Sequence, residues 1–275
     1  MDFDTDSALG RVPLLGSVSA KETTGETMNG DHFSAVAQSY AEFRPQYPLS
    51  LYQWLRRQVP TAKRVWDVGC GSGQATLMLA DHFADVIATD ISEQQLAKAE
   101  TRDNIRYLHA DEQCPELADQ SIDLITVAQA LHWFNLDRFY PEVNRVLKPE
   151  GVLAVWTYSP IRLRDESLNT IMQDYYQRVA APWWPPGREH VDRGYRDLSF
   201  PFPTLPDPQI EMSQTMTIDG LCGYVRSWSA SARCMETTGK DPTEELYQAL
   251  LQQITPEQTV EVYWRLTVRA GRKSL

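Results

Sequence analysis

Three acidic residues, Asp67, Asp90 and Asp111, each stand at or near the end of a short apolar run, and His132 follows a fourth run. Between the first two lies Gly69-Cys70-Gly71-Ser72-Gly73, a turn of alternating glycines that opens a helical pattern through Leu77, Met78, Leu79, Ala80 and Phe83. Small residues let a backbone approach a ligand closely, and the free N–H groups at the start of a helix favour anionic groups. A carboxylate can accept from two vicinal hydroxyls or answer an ammonium group, and an unperturbed histidine titrates near working pH. These residue types point to a nucleotide site with a candidate base beside it. The dinucleotide pattern G-x-G-x-x-G would need a third glycine at position 74 or 76, where Gln74 and Thr76 stand. The Gly-Lys-Ser/Thr ending of a phosphate loop is missing too. The turn by itself leaves the nucleotide open.

The elements that must position these groups follow from the apolar pattern. Strands are expected at 64–68, Asp85 to Asp90, Ile105 to Ala110, Ser121 to Ala128 and Val152 to Tyr158. Helical patterns alternate with them at Leu49 to Val59, after the glycine turn, at Ser92 to Thr101 and at Asp137 to Leu147. That alternation predicts a parallel sheet with helices on both faces, and the fourth strand past Asp123 is too apolar to face solvent on either side. Open sheets of this kind bind ligands at the C-terminal ends of their strands. Asp67, Asp90, Asp111, Ala128 and Gln129 all fall there. Asp90 lies 21 positions after Gly69, where a strand–helix–strand unit delivers a carboxylate to a ribose, with Ile91 beside the base. Asp67 can answer an ammonium group. Partners for phosphate are few.

The run Asp67-Val68-Gly69-Cys70-Gly71-Ser72-Gly73 resembles the first motif of class I S-adenosylmethionine-dependent methyltransferases. The Tyr40-x-x-x-Arg44-Pro45-x-Tyr47-Pro48 run and the His132-Trp133-Phe134 turn resemble the subgroup related to trans-aconitate methyltransferase. Leu147-Lys148-Pro149-Glu150-Gly151 is another landmark of these enzymes: its proline stops a helix and its glycine permits a tight turn. The resemblance covers roughly residues 33 to 158. It implies a Rossmann-like, seven-stranded, mostly parallel sheet with an antiparallel last strand. The implied cofactor is S-adenosyl-L-methionine, cradled by Gly69, Gly71 and Gly73. Tyr40 and Arg44 would close over it, with Arg44 facing its methionine carboxylate. Asp111, with Glu112 as second choice, would lie near the adenine amino group. The His132 turn would lie beneath the sulfonium, with His132 either a general base or a neutral group shaping the pocket, and Trp133 an apolar wall.

The second half of the chain carries the candidates for the methyl acceptor. Residues 160–208 are too long for a plain connection and suggest a substrate cap. Within them Arg193 and Tyr195 are the expected acceptor contacts, followed by Arg226 and Trp228 on a helix from Asp219 through Ser229. A strand at Pro208 to Thr217, a helix at Asp241 to Gln253 and an edge-like strand at Thr259 to Val268 complete one domain, 31–275, after a flexible tail at 1–30. The net charge is −11, from 26 basic and 37 acidic residues, which argues against a nucleic acid partner. The missing Asn/Asp-Pro-Pro-Tyr/Phe motif points away from base and glutamine methylation. The four cysteines form no C-x-x-C pair, no metal site is expected, and no apolar run nears the roughly 18 residues of a membrane span. A cytoplasmic enzyme methylating a small molecule is the expectation, with O-methylation of a carboxylate or hydroxyl favoured. N- or C-methylation, or a non-catalytic cofactor-binding protein, are the alternatives. A carboxylate arrives ionised and needs no base, whereas a phenol, alcohol or amine would gain from His132.

Overall fold

The computed structural model describes residues 45–274. The five short apolar runs become parallel strands: β1 (Arg64–Val68), β2 (Asp85–Asp90), β3 (Ile105–His109), β4 (Ile122–Ala128) and β5 (Leu147–Tyr158), side by side in the order β3-β2-β1-β4-β5. Trp66 of β1 sits between Ile87 of β2 and Ile125 of β4. Ile122 through Val127 are all buried, as a strand covered on both faces requires.

One strand runs the other way. The second half of β8 (Thr259–Arg272) is antiparallel to β5, with Tyr158 opposite Leu266 and Val152 opposite Arg272. Its first half pairs with β7 (Glu211–Thr217). Tyr263 has Ser213 of β7 on one side and Arg162 of the two-residue β6 (Arg162–Leu163) on the other. β6 therefore prolongs the line of β5, and β7 takes the outer edge. This is the expected mostly parallel sheet with an antiparallel last strand, plus one short eighth strand. The edge position expected for Thr259 to Val268 is corrected: that strand is interior. Its alternating pattern reports which face is covered, and it cannot report that both hydrogen-bonding edges are used.

Helices cover both faces. On one lie α1 (Leu49–Gln58) and α2 (Gln74–Ala80), which contribute Leu55 and Leu79 to the core. On the other, α4 (Leu136–Val146) packs Phe139 and Val143 against Ile125 and Val155. Between them in sequence, α3 (Glu93–Leu96) is one turn long, shorter than expected, with the Ser92 side chain accepting from Gln95 N at its start. Residues 160–208 contain β6, α5 (Glu166–Tyr175), a π-helical turn at Tyr176–Ala180, a 3-10 turn at Ala181–Trp183 and α6 (Arg188–Asp192). After β7 come α7 (Ile218–Arg226), α8 (Ser229–Thr238) and α9 (Thr243–Leu251). The turn into β5 differs in detail from expectation. Its positive φ falls on Glu150 (63°), while Gly151 is needed because a Cβ there would lie 2.9 Å from Lys148 O.

Candidate functional site

The ends of β1, β2 and β4 meet at the glycine turn. Gly69 and Gly71 both have positive φ, +67° and +57°, which favours glycine at each. Their surroundings are opposite. A Cβ on Gly69 would lie 2.7 Å from Ala130 Cβ, whereas a Cβ on Gly71 would meet none of the described residues within 4 Å. The turn is thus packed at its first glycine and open at its second. Asp90 holds it: Oδ2 accepts from Gly71 N at 2.7 Å and Oδ1 from Ser92 N at 2.8 Å. Burial pushes the Asp90 carboxyl upward, against the two backbone N–H groups that favour its charge. Ile91, next along, is 69% exposed, an apolar side chain left in the open beside that carboxylate. An open backbone cradle, a carboxylate at its rim and an uncovered apolar neighbour fit a nucleoside. That is the part of S-adenosylmethionine these residues would hold.

Asp67 has a different task from the one expected. It is fully buried, and its oxygens accept from Thr76 Oγ1 and Thr126 Oγ1, both at 2.7 Å. Burial raises its pKa to about 6, with the two hydroxyls working the other way. The carboxyl braces β1 against α2 and β4, and it does not face a ligand's ammonium group. Asp111 and Glu112 stand after β3, as predicted, but Arg138 of α4 pairs with both, at 2.8 Å and 3.0 Å. Gln129, after β4, takes a positive φ of 59°, strain of the kind concentrated at binding sites. Its Oε1 accepts from Thr157 Oγ1 at 2.7 Å, and Ala128 before it is half-buried. Tyr40 and Arg44 lie outside the described residues, as does the 1–30 tail. The segment that follows them rests on the site: Pro45 O accepts from Gln74 Nε2 at 2.9 Å, and Tyr47 packs edge-on against Trp156.

His132 sits in a 3-10 turn, Leu131–Trp133, directly after the β4 end. Its Nδ1 lies 3.0 Å from Tyr195 Oη, and the two rings stack at 5.9 Å. Gly187 closes against it, since a Cβ there would lie 3.7 Å from His132 Cδ2. Burial, then the positive charges of Arg188 and His190, lower its pKa to about 3. Trp133 is 40% exposed with its ring 4.6 Å from the imidazole.

Three acceptor contacts expected from sequence are corrected. Tyr195 is fully buried and reaches no cleft; it holds His132, and its own carbonyl accepts from Arg269. Arg193 is exposed and pairs with Asp197 at 3.0 Å. Arg226 points to α9, donating to Asp241 at 2.7 Å and Thr243 at 2.9 Å. Trp228, expected as an acceptor contact, is buried against Tyr176, Trp184 and Tyr224. It lines a small cleft with Tyr158, Ser159, Pro160, Trp184, Arg188 and Tyr224, whose volume of about 20 Å³ has room for a single water. Trp184 and Arg188 are the residues sequence reading missed. They fall in the aromatic, arginine-bearing stretch 181–195, but nothing in its spacing says which arginine turns inward. Among the described residues no cluster of histidine, cysteine and carboxylate could hold a metal, and no helix is long and apolar enough to cross a membrane.

Comparison with known proteins agrees with this geometry. A family model described as a methyltransferase domain matches residues 66–155. A protein of Dictyostelium discoideum, provisionally named a methyltransferase, is 34% identical over 224 residues, 80% of this chain and 85% of its own length. The trans-aconitate 2-methyltransferase of Variovorax paradoxus is 36% identical over 135 residues, 48% of this chain and 50% of that protein. A solved structure from Anaeromyxobacter dehalogenans, provisionally named a type II methyltransferase, is 40% identical with a TM-score of 0.79, covering 85% of this chain and all of that one.

Proposed function

Since this chain belongs to the methyltransferase family and is an S-adenosylmethionine-dependent enzyme of class I, we propose that its acceptor is a small carboxylic acid, methylated on oxygen. The state of His132 carries this reading. Taking a proton from a hydroxyl or an ammonium calls for a base with a pKa near the working pH. His132, at about 3, is far too weak a base, and its Nδ1 is already matched to Tyr195 Oη. A carboxylate is ionised at neutral pH and presents its nucleophilic oxygen without proton transfer. A hydroxyl acceptor would need a base that the His132 turn does not offer.

The bound cofactor supplies a methyl group already activated by a positive sulfur, so the protein's work is positioning and the exclusion of water. Gly71 and its open cradle, Asp90, Ile91 and the Ala128–Gln129 strand end would hold the cofactor. His132, kept neutral and fixed by Tyr195, shapes the floor of the acceptor site, with Trp133 as an apolar wall. Residues 160–208 act as the acceptor cap, supplying Trp184 and Arg188 to the cleft. The name of the Variovorax relative, which acts on trans-aconitate, supports an acid as acceptor.

The test is a screen with methyl-labelled S-adenosylmethionine over small acids, phenols and amines, with products treated with mild base. Label in base-labile methyl esters is the expected result. Label confined to phenols or amines would overturn the proposal.

A further inference from the structure

The segment after β3 is held in place by one face of α4. Arg138, Glu142 and Arg145 stand at i, i+4 and i+7, so they share a side of that helix. Glu142 Oε1 accepts from Cys114 N at 3.0 Å, and Arg145 Nη1 donates to Leu117 O at 2.7 Å. Arg138 reaches nearest to the strand end and spends its whole guanidinium there. Its Nη2 donates to Asp111 Oδ2 and to Gln113 Oε1, both at 2.8 Å, and Nε donates to the same amide oxygen at 3.2 Å. Its Nη1 lies 3.0 Å from Glu112 Oε1. In an extended chain successive side chains point to opposite sides, so gathering three of them on one cation requires a bend. Asp111 completes that bend by accepting from Gln113 N at 2.8 Å. A single exposed ion pair contributes little, whereas a planar fork meeting three groups forms a network.

The bend lies beside the nucleoside rim. Ala110 N donates to Asp90 O at 3.2 Å, and His109 Nε2 lies 2.9 Å from Ile91 O, so the start of this segment is fastened to the exposed Ile91. We propose that Arg138 is a positioning residue for the cofactor: it fixes residues 111–113 so that they read the edge of the adenine, acting through them rather than on the cofactor itself. The two carboxylates divide the work. Both Asp111 oxygens are engaged, one by Gln113 N and the other by Arg138. Glu112 is largely buried, and its Oε1 has no well-directed hydrogen bond among the described residues. A buried acceptor left in that state is costly, and the amino group of an adenine would satisfy it. Hypoxanthine carries a carbonyl oxygen where adenine carries that amino group, and two acceptors facing each other repel. Arg138 has this role only with the nucleoside at Asp90 and Ile91, whichever group accepts the methyl.

Titration calorimetry with S-adenosylhomocysteine and its deaminated form, S-inosylhomocysteine, tests this in wild type, Arg138→Ala, Arg138→Lys and Asp90→Ala, with melting temperatures recorded alongside. Wild type should bind the adenine compound about tenfold tighter or more. Arg138→Ala should weaken S-adenosylhomocysteine by about 3- to 20-fold, the range for a few partly exposed ion pairs. It should also bring the two affinities closer, because a loosened Glu112 no longer rejects the carbonyl. Arg138→Lys should restore part of the preference, since the charge returns without the fork. Asp90→Ala should weaken both compounds by the same factor, because both carry the same ribose. A lower melting temperature in Arg138→Ala with the preference unchanged would make Arg138 a brace for the fold alone and overturn the inference. So would a wild type that binds both compounds equally. Unchanged affinity for both compounds in Asp90→Ala would defeat the placement of the nucleoside itself, and with it the role of Arg138.

Discussion

Replacing Gly71 by alanine separates the cost to the fold from the cost to the ligand. The backbone there has φ +57°, where a Cβ costs about 1–2 kcal/mol. Among the described residues nothing lies within 4 Å of the new methyl group, so none of them adds a clash to that figure. For a domain of this size, 1–2 kcal/mol corresponds to a melting temperature lower by about 2–8 °C. The methyl would, however, project into the space assigned to the cofactor. Overpacking a filled site typically costs about 1–3 kcal/mol, so affinity for S-adenosylmethionine should fall by about 5- to 150-fold. Gly69→Ala is the internal comparison. Its Cβ would lie 2.7 Å from Ala130 Cβ, an atom fixed to the backbone that cannot rotate away, so its stability loss should exceed that of Gly71→Ala. Differential scanning calorimetry of the free proteins and titration calorimetry with S-adenosylmethionine measure the two quantities. If Gly71→Ala binds the cofactor as wild type does, the open side of the turn is not the cradle and the site assignment fails.

Two further expectations concern titration. His132 is already neutral above about pH 3, so kcat on an acid acceptor should stay flat from pH 5.5 to 8. His132→Ala should cost less than tenfold, against the roughly 10²–10⁴ of a true general base. An inflection near pH 6.5 that disappears in the variant would contradict this. Asp67, raised to about 6, stabilises the fold below its unfolded value near 3.8 and loses that contribution as pH rises through 6. Asp67→Asn does not ionise, so its stability relative to wild type should improve by about 1 kcal/mol between pH 5.5 and 8. Urea titrations that shift in parallel at the two pH values would show that Asp67 is not buried as a carboxyl.

The cofactor half was legible because its signals are local. Strand, glycine turn and strand-end acid follow each other within about two dozen residues, and a βαβ unit of ordinary length brings Gly71 and Asp90 together without help from distant contacts. Asp67 shows the limit even there. A carboxylate before a glycine turn reads the same whether it faces a ligand or two threonines, and only the position of Thr126, 59 residues away, decides it. The acceptor side was legible only in composition. Stretch 181–195 contains two arginines, two tryptophans and a tyrosine. Which of them turn inward depends on a five-residue helix, on Gly187 closing against His132, and on the positive φ of 59° at Tyr195.

From its sequence alone this protein reads as a class I methyltransferase fold that uses S-adenosylmethionine, with Gly71 and Asp90 as the expected holders of the cofactor. Those features are written in periodicity and in short, ordered motifs. The tertiary structure decided that Tyr195 steadies His132, that Arg193 and Arg226 are tied up elsewhere, and that Arg188 and Trp184 line the cleft. The physical reason is that an arginine's role is set by which carboxylate or ring it meets. Asp192, Asp197 and Asp241 each claim one of these three, and pairings of that kind exist only once the helices are packed.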